Sequence, residues 1–92
     1  MDYLLQLFKG VANDRRIKII ELLLKHGEMY IEEISSKLKI PSATCCRNLK
    51  VLERVYLVSS RRKNGRVLYK LNNPAKHPYN RLIVNLIKKR RK

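Results

Sequence analysis

The chain has 92 residues, 45% of them hydrophobic, and a formal net charge of +15. That length holds one domain, residues 1–92, with a modest core, and the apolar fraction is too high for a disordered tail. No apolar run approaches the ~20 residues of a membrane-spanning helix. The opening MDYLLQLFKG carries an early acid and no basic stretch, so it does not read as a secretory signal, and the expected location is cytoplasmic.

The charge is one-sided. Residues 1–46 hold seven Lys/Arg and six Asp/Glu, whereas residues 47–92 hold fifteen Lys/Arg and a single acid, Glu53. Such asymmetry points to a polyanion, with nucleic acid the first expectation. An anionic membrane surface and plain solubility are the alternatives.

Residues 2–12 read as a short helix that Asp2 can cap, with Leu4, Leu7, Phe8 and Val11 on one stripe and Tyr3 and Leu5 widening it. This exceeds what a peripheral helix of a small monomer needs, so part of it is expected to form a dimer surface. Asn13 or Asp14 opens a helix over 15–25, with Ile17, Ile20, Leu23 and Leu24 inward and Gly27 just past its end. His26 suits the negative end of that helix better than a metal. A third helix covers 31–39, with Ile31, Ile34 and Leu38 inward and Ser35, Ser36 and Lys37 outward. A tight turn at Lys39-Ile40-Pro41 then enters the helix over 41–55.

That fourth helix has two faces. Cys45, Leu49, Leu52 and Val55 fall on one apolar stripe; Ala43, Cys46, Arg47 and Lys50 fall on a small, basic face with no acid. Pro41 suits a first helical position, and Ser42 and Thr44 can bond free amides of the first turn or a phosphate. Helix, short turn, helix is the arrangement that lays a second helix in a DNA major groove. An ordinary solvated face is the alternative. The adjacent Cys45 and Cys46 are too close for an unstrained bridge and make a poor zinc set. Cys45 reads as a core residue and Cys46 as a small surface one, with a redox switch at Cys46 as the other reading.

After Tyr56 the period changes to two. Residues 57–63 and 66–71 read as strands joined by Asn64-Gly65, a strong hairpin signal. Arg61, Arg62, Lys63 and Arg66 surround the turn, making a basic wing over 59–68 that suits a phosphate backbone or a minor groove. A purely solubilising hairpin is the alternative, and Tyr69 is expected in the core. Pro74 and Pro78 bracket a connection with Lys76 and His77, His77 reading as a loop residue. A last helix begins at Tyr79, with Leu82, Ile83, Leu86 and Ile87 on one side, and runs into five consecutive cations, 88–92.

The expected fold is therefore mostly α with a two-stranded β-hairpin: a winged helix-turn-helix in the order α-α-α-α-β-β-α. The block IPSATCCRNLKVLERVYLV resembles the signature region of ArsR-type bacterial and archaeal repressors, and LFKGVANDRRIKIIELL resembles that family's opening. The resemblance covers roughly residues 4–72; related winged-helix families, MarR-type among them, share the layout. It implies a homodimer built from the terminal helices, 2–12 and 79–90, here through Leu4, Leu7, Phe8, Tyr79, Leu82, Ile83 and Leu86. It implies DNA contact by Ser42, Ala43, Thr44, Cys46, Arg47 and Lys50, and by Arg61, Arg62, Lys63 and Arg66 of the wing.

Departures from the family matter for mechanism. Metal-sensing members carry a cysteine pair where this chain has Tyr30 and Glu32, and soft metals want thiolate. Residues 79–92 contain no Asp, Glu, His or Cys to match the family's other site. No metal or other cofactor is expected. Tyr56 stands where the family has a small residue, which puts the sharpness of that turn in question. The expected function is a sequence-specific DNA-binding transcriptional regulator, a repressor, acting as a homodimer; a non-specific architectural protein is the alternative. No catalytic set or phosphate-cradling loop is present, so an enzyme is not expected.

Overall fold

The computed structural model describes residues 2–72 and 77–90. Among them the elements run α1 (Tyr3–Val11), α2 (Asp14–His26), β1 (Met29–Tyr30), α3 (Ile31–Leu38), α4 (Ser42–Arg54), β2 (Val58–Lys63), β3 (Arg66–Leu71) and α5 (Pro78–Arg90). The expected connection at Pro74 and Lys76, and the last two cations, Arg91 and Lys92, lie outside the described residues. The architecture is a winged helix-turn-helix with one element more than expected. β1 adds a third strand, giving an antiparallel sheet in the order β1-β3-β2, with Met29 opposite Tyr69 and Tyr30 opposite Leu68. Two residues are too few for a period of two to show; β1 exists because β3 pairs with it.

Short polar side chains begin the first two helices. Asp2 accepts from the Leu4 amide at 3.0 Å, and Asn13 from the Arg16 amide at 3.2 Å. Gly27 ends α2 at φ 75°, ψ −145°, a region closed to side chains, and donates to the Leu23 carbonyl at 2.9 Å. The turn between α3 and α4 uses Lys39 in the left-handed region, φ 56°. The Ser35 hydroxyl closes that turn by donating to the Ile40 carbonyl at 2.7 Å, so Ser35 is half-buried and structural rather than outward-facing. Pro41 also differs from expectation. Its backbone is extended, φ −60°, ψ 148°, so it precedes the helix, and its carbonyl accepts from the Cys45 amide at 2.9 Å.

The α4 stripe lies at the centre of the core. Cys45, Leu49 and Leu52 are fully buried and Val55 nearly so, against Leu7, Ile19, Ile20 and Ile34. Each such leucine contributes roughly 1.5–3 kcal/mol relative to exposure. Tyr69 is buried with them, as its place in the strand suggested. Where α1 crosses α4, a Cβ on Gly10 would stand 3.2 Å from a Val55 methyl, so the absent side chain lets the helices close.

Two polar residues are buried among the described ones, Asn48 and Asn80, and each secures α4 or the turn that follows it. Asn48 donates to the Thr44 carbonyl at 3.0 Å and accepts from Arg16 at 3.0 Å. Arg16 also donates to the Gly10 carbonyl at 2.6 Å, fastening the end of α1 to the middle of α4. Asn80 donates to the carbonyls of Val55 (3.0 Å) and Tyr56 (3.2 Å) and accepts from the Tyr3 hydroxyl at 2.6 Å. Tyr56 sits at φ 60°. The tight turn that a small residue usually makes is thus formed with a tyrosine, and Asn72 adds a second grip on its carbonyl at 2.8 Å. His77 is packed rather than free: its ring lies 4.2 Å from that of Tyr3.

The wing turn has Asn64 at φ 55° and Gly65 at φ 75°. Two successive positive φ values match the right-handed twist of the flanking strands, which is why Asn-Gly suits this turn. The ladder runs from Val58 opposite Leu71 to Lys63 opposite Arg66.

Candidate nucleic-acid interface

The outer face of α4 is presented as its sequence predicts. Ser42, Ala43, Arg47 and Lys50 are exposed, and Thr44 and Cys46 are half-buried. Arg47 donates to the Thr44 hydroxyl at 3.3 Å. No side chain caps α4, so amides of its first turn remain open to an outside acceptor at the positive end of the helix dipole. Cys46 faces a cleft of about 430 Å³ between α4 and the wing, which Lys50, Glu53 and Arg62 also line. Glu53, the acid on this side of the chain, accepts from the Ser60 hydroxyl at 3.1 Å. Cys45, next to Cys46 in the chain, lies in the core, where burial, and secondarily Cys46, push its thiol up to about 11.

The four wing cations divide into two kinds. Arg61 donates twice to Glu28, Nε to Oε2 at 2.8 Å and Nη2 to Oε1 at 2.9 Å. Arg66 lies 3.9 Å above the Tyr30 ring and 3.6 Å from Glu32. The Arg61 bonds hold the Glu28 carboxyl below its usual range. Arg62 and Lys63 are exposed and form no ion pair among the described residues. Tyr30 and Glu32 are the residues that the resemblance sets against metal-binding thiols. A phenol and a carboxylate engaged with a guanidinium do not fit a soft metal.

The terminal helices leave an apolar surface open. Leu5 and Phe8 of α1 are 53% and 49% exposed, and Leu82 and Leu86 of α5 are 62% and 63% exposed, with Tyr79 beside them. Leu7 and Ile83, expected at a dimer surface, are buried in the core of the single chain, and Leu4 is half-buried. The apolar stripe of α1 divides: one edge packs inward and the other faces out. Leu5, assigned only to the stripe's margin, belongs to the exposed edge. Arg16, Asn48, Glu28, Tyr30 and Glu32 carry no local signal of their roles, because their partners lie far along the chain.

This geometry has close counterparts. The family model "Bacterial regulatory protein, arsR family" matches residues 13–60, which span α2 through the start of the wing. The chain belongs to the ArsR family. The transcriptional activator HlyU of Vibrio cholerae is 34% identical over 67 residues, covering 73% of this chain and 61% of HlyU. The transcriptional repressor PagR of Bacillus anthracis is 32% identical over 74 residues, covering 75% and 69%. An uncharacterised HTH-type regulator of Mycobacterium tuberculosis is 32% identical, and the ArsR-family chain spans 60% of its length. In structure, the homodimeric winged helix-turn-helix DNA-binding domain of a possible ArsR-family regulator from Mycobacterium bovis superposes with a TM-score of 0.79 at 27% identity, covering 97% of this chain and 82% of that one. HlyU superposes with a TM-score of 0.75 at 30% identity, covering 91% and 90%. These relatives are named as regulators, not enzymes. No helix among the described residues is long and apolar enough to cross a membrane.

Proposed function

We propose that this ArsR-family chain is a sequence-specific double-stranded-DNA-binding transcriptional regulator, a repressor, acting as a homodimer in the cytoplasm. The observation that carries the reading is the outer face of α4: Arg47 and Lys50 exposed, small residues between them, and an uncapped N-terminus. With α4 in the major groove, Arg47 and Lys50 reach base edges, Arg favouring guanine O6 and N7. Ser42, Thr44 and the open amides hold the backbone and fix the register, and Ala43 and Cys46 leave room for close approach. The wing adds cations along the backbone or minor groove.

The exposed edges of α1 and α5 support the dimer. Leu5, Phe8, Leu82 and Leu86 form the kind of apolar surface that a second copy covers. A two-fold dimer sets two α4 helices on half-sites about one helical turn apart. Repression is the simplest outcome of a dimer lying across a promoter.

The test is binding to genomic fragments against random duplex at about 50 and 200 mM salt. A regulator leaves some fragment bound at the higher salt after random DNA has dissociated. Equal loss on every sequence would sink this reading and favour the architectural one, for which the +15 net charge is the supporting observation. Arg47→Ala should cost about 1–3 kcal/mol and relax one operator position.

A further inference from the structure

The cations flanking the wing turn look equivalent in the sequence, but the sheet separates them. Opposed residues on a ladder share a face, and faces alternate along each strand. Arg61 opposes Leu68 and Lys63 opposes Arg66, so these lie on one face. Ser60, Arg62, Val67 and Tyr69 share the other, where Ser60 bonds Glu53 of α4. Arg62 therefore stands on the α4 side; it lines the cleft with Lys50, and Arg61 borders the same cleft while its guanidinium is bonded to Glu28.

On the back face each arginine meets an acid. β1 lies beside β3 with Tyr30 opposite Leu68, so Glu28, just before β1, and Glu32, in the first turn of α3, bracket that face. Arg61 reaches across β3 to grip Glu28 with two bonds at 2.8 and 2.9 Å. This planar, bidentate fit adds directionality to simple charge attraction. Arg66 is held from two sides, by the Tyr30 ring and by Glu32.

From this arrangement we infer that Glu28, Tyr30 and Glu32 are positioning residues. They dock the back of the wing onto β1 and the start of α3, engage Arg61 and Arg66, and leave the wing's phosphate contacts to Arg62 and Lys63. The inference rests on the DNA-binding reading. Because α3 and α4 form one helix-turn-helix, anchoring the wing to α3 sets the spacing between the wing and the recognition helix. A guanidinium already neutralised by a carboxylate gains little by exchanging it for a phosphate and releases few counterions. The wing then counts as two charges in the salt dependence, not four.

The experiment measures the slope of log affinity against log salt for the full chain on its own selected duplex. Arg62→Gln and Lys63→Gln should each lower the slope by about 0.9, which is a ~3.5-fold smaller affinity loss between 50 and 200 mM salt. Arg61→Gln and Arg66→Gln should leave the slope within about a third of that change. The Glu28→Ala/Glu32→Ala double variant, which frees both arginines, should steepen it by up to about 1.8. Equal drops for Arg61→Gln and Arg62→Gln, or an unchanged slope in the double variant, would overturn the inference. The clamp is also read without DNA, from Arg Nε–H signals in NMR spectra of the free protein. Arg61 should be ordered and protected relative to Arg62, and should lose that difference in Glu28→Ala. An Arg61 signal as mobile as that of Arg62 overturns the clamp while leaving the DNA reading intact. A wild-type chain that binds no duplex overturns both, and shows it before any variant is made.

Discussion

Replacing Asn80 by alanine should loosen the reversal that follows α4. Asn80 is 3% exposed and donates to two carbonyls, Val55 O at 3.0 Å and Tyr56 O at 3.2 Å. Neither carbonyl would be orphaned by its loss. The Tyr3 hydroxyl lies 2.8 Å from Val55 O, and Asn72 donates to Tyr56 O at 2.8 Å. The cost is therefore the net value of two hydrogen bonds, about 1–3 kcal/mol, rather than the larger penalty for stranded polar groups. For a domain of this size that is roughly 4–8 °C in Tm per kcal/mol. The assay is urea unfolding at fixed protein concentration, since any dimer makes stability concentration-dependent. Asn80→Asp is the sharper variant. A carboxylate keeps the acceptor for Tyr3 but turns negative charge toward two carbonyls, so it should cost more than alanine at pH 7. Burial and the carbonyls would raise that carboxyl's folded-state pKa, so the deficit should shrink as the pH falls and the group takes up a proton. A cost below about 0.5 kcal/mol for Asn80→Ala, or an Asp variant no worse than Ala, would show that this amide does not hold the turn.

Tyr56 sits at φ 60° with its side chain 64% exposed, so Tyr56→Gly relieves left-handed strain and gives up little burial. We expect a gain of up to about 1 kcal/mol, reduced by glycine's greater freedom when unfolded; a loss in urea unfolding would mean that the ring contact with Tyr3 matters more than the backbone. Thiol labelling of the native chain should modify Cys46 and spare Cys45, whose thiol burial raises to about 11, until denaturant is added; two equivalents reacting at one rate would contradict the core placement. Tyr3 and Tyr69 both have pKa values raised, chiefly by burial, so the folded chain keeps their protons beyond the ordinary value of 10.0. The stability they contribute is complete below that pH and is lost as the pH rises through their folded values, and Tyr69→Phe should flatten the decline of the urea midpoint measured from pH 8 to 11.

Local chemistry made most of the architecture legible. Asp2, Asn13 and Gly27 stand at helix ends for reasons contained within four residues, and Asn64-Gly65 marks its own turn. The α4 stripe, Cys45 to Val55, follows from spacing alone, and it proved to be the centre of the core. What stayed hidden depends on partners distant in the chain. β1 is two residues long and exists through pairing with β3, some forty residues later. Nothing local marks Asn48 and Asn80, yet each bonds an element that the chain reaches only by folding.

The same limit separates the two halves of the candidate interface. A helix face is decided by a period of 3.6, so the exposure of Arg47 and Lys50 could be read directly. A strand's period of two assigns Arg61 and Arg62 to opposite faces, but not which face meets α4. That choice follows from Val58, Val67 and Tyr69 packing toward the core, which puts Ser60 and Arg62 on the α4 side. Nor does local sequence pair Arg61 with Glu28, 33 residues away, since seven acids precede the wing and the sheet order alone brings this one into reach. Net charge thus overstates the cations available to DNA. Of the residues that create the charge imbalance after position 46, those folded back onto the acids before it are already partly neutralised. The imbalance at the candidate interface rests on Arg47, Lys50, Arg62 and Lys63, none of which is within ion-pair distance of those acids among the described residues.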